Sequence, residues 1–596
     1  MSSNLFLFPN LRNSTVSINI AKHYHRLLFL PPIHCNLPPC QKPFPSHNFS
    51  PPNHKNRIFH PRPLPPFFVA VGDTSSSSNE EEEEEAEARE AVSELLQDYG
   101  VSKEESIKIA SNSPKYLAMV IDGVRDLDEL SLWNSWSGEK GGVESSPSFK
   151  KKVYRMAKQK GDKGLLPFFE SLGLRLSSAL RVARYLSSQT LPDLIHKVKY
   201  VKEIFFSDSN EGRIGKNARR MMMHLSIPVD EDVQQTLSFF EKMQARRGGL
   251  DSLGSNDASF CCLIESFPRL LLLPVECSMK PLVGFLEDIG VPKGGMRKIL
   301  LLFPPIIFYD VEKDIKSRMK TFQKFGAGDK DFGRMLVKYP WILSTSIQDN
   351  CEEIHSFFDM EKVPEVSVHQ SVKSWPHLLG CSIGKLRLMV NQFGELGVRD
   401  KRLGQVIAKS PQLLQQKPQE FLQVVYFLED LGLDEETISR MLGRCPEIFG
   451  TSVEKTLKKK IEFLRGIGVS EEHLPRVIRK YPELFVCDIN KTLLPRMLFL
   501  MKIGLSKRDV ALMVHCFSPL LGYSIEEVLR PKLEFLVNTM EKPLMDVVDY
   551  PRYFSYSLEN KIKPRYWELK CRNFECSLKD MLGKNDEEFD ADFKGV

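Results

Sequence analysis

Several things are scarce or missing in this 596-residue chain, and each absence removes a class of function. No uncharged apolar run approaches the ~20 residues that a membrane helix needs. The longest, Ile299 to Tyr309, is broken by Pro304-Pro305, which excludes a transmembrane role. None of the 12 cysteines forms a Cys-x-x-Cys pair, and zinc sites of the finger or ribbon kind need such paired ligands at short spacing. The cysteines read instead as thiols of a reducing compartment, most of them buried. No phosphate loop, His-Glu-x-x-His helix or Gly-x-Ser-x-Gly elbow occurs. Six of the 13 histidines fall before residue 61, and the other seven are scattered. No enzymatic activity, cofactor or metal is therefore expected.

Acids are missing from one region only. Residues 1–72 carry seven Lys/Arg and no Asp or Glu, with abundant Ser, Pro, Asn and His. That composition is expected of an organellar transit peptide, and its few arginines and many hydroxyl residues favour chloroplast over mitochondrion. Residues 73–90, with Ser75 to Ser78 and Glu80 to Glu85, read as an acidic linker too charged to collapse. A short acidic tail, 566–596, is expected at the other end. Between these flanks, residues 106–583 hold 71 basic and 59 acidic residues, an excess that suits a polyanion partner.

What is present is a repeat. An aromatic or small residue, Pro, any residue and two large apolar residues recur as Phe-Pro-Arg-Leu-Leu at Pro268, Phe-Pro-Pro-Ile-Ile at Pro304 and Tyr-Pro-Trp-Ile-Leu at Pro340. The phrase continues at Pro376, Pro411, Pro446 and Pro482, with weaker copies at Pro519 and Pro551. Successive prolines lie 36, 36, 36, 35, 35, 36, 37 and 32 residues apart, the signature of a solenoid. Within most periods Phe-Leu is followed by apolar-Gly-apolar, as in Phe463-Leu464 and Ile467-Gly468-Val469. Gly there stops a helix through positive φ, and Ser470-Glu471-Glu472 or Asp434-Glu435-Glu436 opens the next. That second helix ends before the next proline, because the residue preceding Pro avoids the α region. Each unit thus reads helix, Gly turn, helix, Pro break. The fold class is all-α, a superhelical solenoid of ~35-residue helical repeats over 261–565. Residues 91–260 are expected to be degenerate helical repeats acting as a cap. Two units depart: Phe357 to Lys362 has no turn glycine, and Thr539-Met540-Glu541 replaces it near the end, so a bend or protein contact is expected at either place.

A basic column follows the period. Six residues before the proline stand Lys298, Arg334, Arg440 and Arg476; two residues before it stand Lys338, Lys409, Arg444 and Lys480. Offsets four apart share a helix face, while intervening pairs such as Met441-Leu442 turn to the core. Repeated positive charge suits phosphate and carries little base identity. Basic residues in a last helical turn also offset the helix dipole, so single members have a structural reading as well. Lys458-Lys459-Lys460, Arg496, Lys561, Lys563 and Arg565 could extend the stripe. Trp341, Trp375 and Tyr481 sit beside the proline, where stacking on bases or packing on the next unit are both open.

The Pro-x-Leu-Leu phrase, the Phe-Leu-x-x-Ile-Gly-Val phrase and their period together resemble the mitochondrial transcription termination factor (mTERF) family, in a plant organellar member. The resemblance implies a helical superhelix on nucleic acid, with double-stranded DNA as the first expected partner and structured RNA as the second. It further implies roles in organellar transcription and its termination, in intron splicing or in ribosomal RNA maturation. Transcription or ribosome-assembly proteins are the alternative partners, with the chain as a scaffold.

Overall fold

The computed structural model describes residues 77–129, 147–207 and 214–594. The expected transit peptide, 1–72, lies outside them. Among the described residues there are helices and turns but no strand, the all-α solenoid that the period predicts.

Each unit carries the expected helix pair, plus one device that the phrase encodes without announcing. The second helix ends on a residue with φ between −129° and −148°, at Phe267, Phe303, Tyr339, Trp375, Ser410, Cys445, Tyr481, Phe517 and Tyr550. A short 3-10 turn follows at once, from Pro268, Pro304 and so on, and its two large apolar residues enter the core. In the penultimate unit the turn begins at Ser518, not Pro519, so the proline there stands one place late. Many first helices then open as a wide turn capped by Asp or Ser: Asp310, Ser452, Asp488, Ser524 and Ser557 accept backbone N–H groups.

The two units without a turn glycine do not lose the turn. Lys362 and Glu541 themselves adopt φ of 52° and 53°. The amide of Val363 still donates to the Phe358 carbonyl at 3.0 Å, as that of Val398 does to Phe393 beyond Gly397 at 2.9 Å. A left-handed L-residue costs about 1–2 kcal/mol, which the surrounding helix pair offsets.

Units are tied by bonds from one period to the next. Tyr339 and Tyr481 reach so close to Gly380 and Gly522 of the next unit that a Cβ there would lie 2.4 and 2.3 Å from the phenolic oxygen. Buried amines on first helices donate to carbonyls of the following unit's 3-10 turn: Lys460 to Phe485 and Lys532 to Phe554.

Both flanks differ from expectation. The acidic segment is a helix, Ser77–Asp98, packed on Phe149–Gln159 with Ala88 and Ala91 fully buried, so 77–90 is no free linker. Its acids meet cations on two neighbouring helices, Glu84 with Arg125 of Pro114–Glu129 at 2.5 Å and Glu94 with Lys150 of Phe149–Gln159 at 2.7 Å. The C-terminal stretch is a terminal cap, not a tail. Leu578–Gly583 and Asp586–Lys594 bury Leu582 and Phe589, and Gly583 lies near Tyr550 as Gly522 does near Tyr481.

The segment 214–246 does not stack as a repeat. Ile214–His224 and Glu231–Gln244 run as a strap across the 3-10 turns of four successive units. Phe239 meets Phe267 with centroids 6.0 Å apart, and Tyr309 donates to Asp232 at 2.5 Å. Further along, Phe240 stacks on Trp341 at 6.3 Å and the Ser346 amide donates to Asp230. At the far end the Ser226 amide donates to the Gly380 carbonyl at 2.9 Å, and the Ser382 amide donates to the Ser226 hydroxyl.

Candidate nucleic-acid interface

Second helices of most neighbouring units pack on one another along the array, so their C-terminal ends form a row. The candidate basic residues stand on that row, because offsets of −6 and −2 both fall on the outward face of a helix whose −5 and −4 positions are buried.

The two offsets behave differently. Residues at −2 reach over to the next unit and cap its helix. Lys338 donates to the Ser374 carbonyl at 2.9 Å, Lys409 to those of Gly443 and Arg444 at 3.1 and 3.0 Å, and Lys480 to that of Cys516 at 3.5 Å. Each acceptor is among the unpaired carbonyls that end a helix, where a cation is favoured. Arg444 instead meets Glu483 of the next unit at 2.6 Å. All four remain exposed; the ammonium groups of Lys338 and Lys480 keep two N–H donors for a phosphate and that of Lys409 keeps one.

At −6, Arg440 and Arg476 are exposed and form no ion pair among the described residues; Arg440 touches only the Thr437 hydroxyl. Arg334 is held by Asp331, which also meets Lys373 at 3.5 Å. Lys298 is half-buried, and desolvation together with Arg220 and Lys338 pushes its ammonium below the usual lysine value.

The structure adds members that no repeat alignment could show. Arg220, on the strap, stands with Lys298 and Lys338, close enough to act on both Lys298 and His377. Arg552, just after Pro551, acts on Lys480 together with Arg476 and Arg479. Both lie off the repeated offsets, so a periodicity argument passes over them.

Most of the proposed extensions are structural, Lys459 alone of the lysine run being exposed with no hydrogen bond or ion pair among the described residues. Lys460 and Arg565 are buried and bonded to carbonyls, and Arg565 also meets Asp586. Arg496 donates to the Tyr523 and Thr492 carbonyls. Lys458 and Lys563 pair with Glu454 and Glu559, and Lys561 donates to the Lys584 carbonyl. The aromatics pack inward: Trp341 is fully buried with its indole N–H on the Leu302 carbonyl at 2.9 Å, and Trp375 donates to Gln415 at 2.6 Å. Tyr481 lies against Gly522.

Residues 283–590 match the mTERF family model. Among curated proteins, the chain is 27% identical over 217 residues to the transcription termination factor MTERF15, mitochondrial, of Arabidopsis thaliana, covering 35% of this chain and 45% of that one. It is 43% identical over 51 residues to MTERF4, chloroplastic, and 44% over 55 residues to MTERF2, chloroplastic, both of the same plant, covering 9% of each chain. The chain thus spans less than half the length of the curated relatives it matches. With the repeat, the helix pair and the 3-10 turn all within a match that covers over half of its length, the chain belongs to the mTERF family.

Proposed function

We propose that the protein binds organellar nucleic acid along the row of second-helix C-termini, double-stranded DNA first, and so controls transcription or its termination. The family is one of organellar nucleic-acid-binding regulators of gene expression, and the named relatives are transcription termination factors of chloroplasts and mitochondria. The observation that carries the reading is that Arg440 and Arg476 project from successive units, exposed and in no ion pair among the described residues, with Lys409, Arg444 and Lys480 beside them. Charge repeated at the spacing of a stacked helix suits a phosphate backbone and needs no chemistry from the protein. A clamp on duplex DNA blocks a polymerase physically. The chloroplast is the proposed compartment.

Glu447 and Glu483 stand on the same row between the cations, which favours a second reading: a scaffold for transcription or ribosome-assembly proteins. Structured RNA, in splicing or ribosomal RNA maturation, would use the same cations as DNA. Affinity of the full chain for duplex DNA and for structured RNA, measured against salt, separates these. Five phosphate contacts on B-DNA give a slope of log affinity against log salt of about −4 to −5. Binding that is absent or indifferent to salt overturns the nucleic-acid reading and leaves the scaffold. Crosslinked immunoprecipitation from plastids and mitochondria, with DNA and RNA sequenced in parallel, then decides between the two polymers and the two organelles.

A further inference from the structure

The seven scattered histidines include two that the fold brings together. His355 lies on the first helix of its unit, Thr345–Met360, and His369 on the second, Glu365–Ser374. One ligand atom from each, with one carboxylate oxygen of Glu365, lies within 4.8 Å of the others. We infer that His355, Glu365 and His369 form a binding site for a borderline divalent metal ion, Zn2+ by preference, that staples this helix pair across its turn.

The donor set is right for that ion. Two imidazoles and one carboxylate suit zinc, with a fourth position left for water or a further carboxylate. Tetrahedral zinc with bonds of about 2.0–2.2 Å sets neighbouring ligand atoms roughly 3.3–3.5 Å apart. His369 Nε2 and Glu365 Oε1 stand 3.3 Å apart, on successive turns of one helix. The remaining ligand atoms lie within 4.8 Å of one another, with the Glu365 side chain exposed and His355 half-buried.

The supporting residues hold the imidazoles as a metal site requires. His369 makes a backbone hydrogen bond with Lys324, while its Nε2 is buried without any hydrogen-bond partner. A bond to Lys324 through Nδ1 would leave the lone pair of Nε2 turned to the site. Asp359, 3.4 Å from Nδ1 of His355, can orient the second imidazole in the same way. Phe325 walls the site, its centroid 5.8 and 6.0 Å from the two rings and steeply inclined to both. The nearby ammonium groups are occupied elsewhere: Lys324 meets Glu352 at 2.9 Å, and Lys373 donates to the Gly326 carbonyl at 3.0 Å.

Position gives the site a purpose. His355 and Glu365 flank Lys362, the residue that takes a left-handed conformation where other units have glycine. An ion bound by both helices would hold closed a turn that is closed at a cost.

The test uses the full chain, freed of metal by chelation and dialysed against Zn2+, with metal per chain measured by mass spectrometry. Exposed Cys277, Cys516 and Cys571 can also bind zinc, so Co2+ is added in parallel and its visible spectrum read. One ion per chain, no thiolate charge-transfer band, and loss of the ion in both His355→Gln and His369→Gln with unchanged helicity are expected. Zn2+ should raise the melting midpoint of the native chain and not that of either variant, and Mg2+ should raise neither. Less than one ion per chain, or retention of the ion by a folded His369→Gln, overturns the inference. Should His369→Gln misfold, Glu365→Gln serves instead: its side chain is exposed, and weaker Zn2+ binding supports the site while unchanged binding overturns it.

Discussion

The array has two halves built from one phrase, and they use the residue after the proline in opposite ways. In the units at Pro304, Pro340 and Pro376 that residue is Pro305, Trp341 or His377, and each is buried. In the units at Pro411 and Pro446 it is Gln412 or Glu447, and at the last unit Arg552, all exposed, while Glu483 after Pro482 is half-buried and Leu520 after Pro519 is buried. The strap 214–246 makes the difference, because it lies on the 3-10 turns of the first half and ends at Gly380 and Ser382. One half of the solenoid has a second layer and reads as a fixed block. The other half presents its turns and basic row to solvent. Nearly the same backbone thus serves packing at one end and presentation at the other.

The contrast breaks hardest at Trp341. Trp341→Ala removes a fully buried indole stacked on Phe240 and leaves the Leu302 carbonyl unpaired, so a loss of about 3–5 kcal/mol is expected in denaturant unfolding. Glu447→Ala, at the equivalent place in the open half, should stay within about 0.5 kcal/mol. Equal losses would mean that the strap adds nothing.

The next effect is acid sensitivity confined to the strapped half. Burial first, then nearby cations, pushes His224 down to about 4 and His377 down to about 3; Lys385 and Arg220 face the former, and Arg220, Lys298 and Lys338 the latter. Both imidazoles are neutral in the folded chain and take up protons near 6.5 once unfolded. The stability they contribute is complete above pH 6.5 and falls as pH drops below it toward their folded values. A loss on the order of a few kcal/mol between pH 7 and 4.5 is expected, read as proteolytic release of the strap. His377→Gln should flatten the curve.

In the open half, Arg440→Glu with Arg476→Glu should lower duplex affinity about ten- to a hundredfold at low salt and reduce the salt slope by about 2, with helicity unchanged. Lys298→Glu, next to the strap, should shift folding before it shifts binding, since Lys298 is half-buried beside Arg220. The smallest effect is at the unit with no turn glycine. Lys362→Gly relieves a left-handed residue and should stabilise by about 0.5–1 kcal/mol, less once the unfolded chain's added freedom is counted.

Much of this was open to reading from the chain alone. The proline period, the glycine stop and the alternation of buried and exposed positions fixed the helix pair, the all-α class and the outward face that carries Arg440, Arg444, Arg476 and Lys480. Those are local facts: 3.6-residue periodicity and backbone sterics act within a few residues of each other. The strap, the capping of Ser374 and Arg444 carbonyls by Lys338 and Lys409, the meeting of His355 with His369, and the burial of Arg565 belong to tertiary structure. A lysine at a given offset looks the same in sequence whether it faces a phosphate or the next helix's carbonyl. Only the neighbour that packs against it, one repeat away in the chain, decides which.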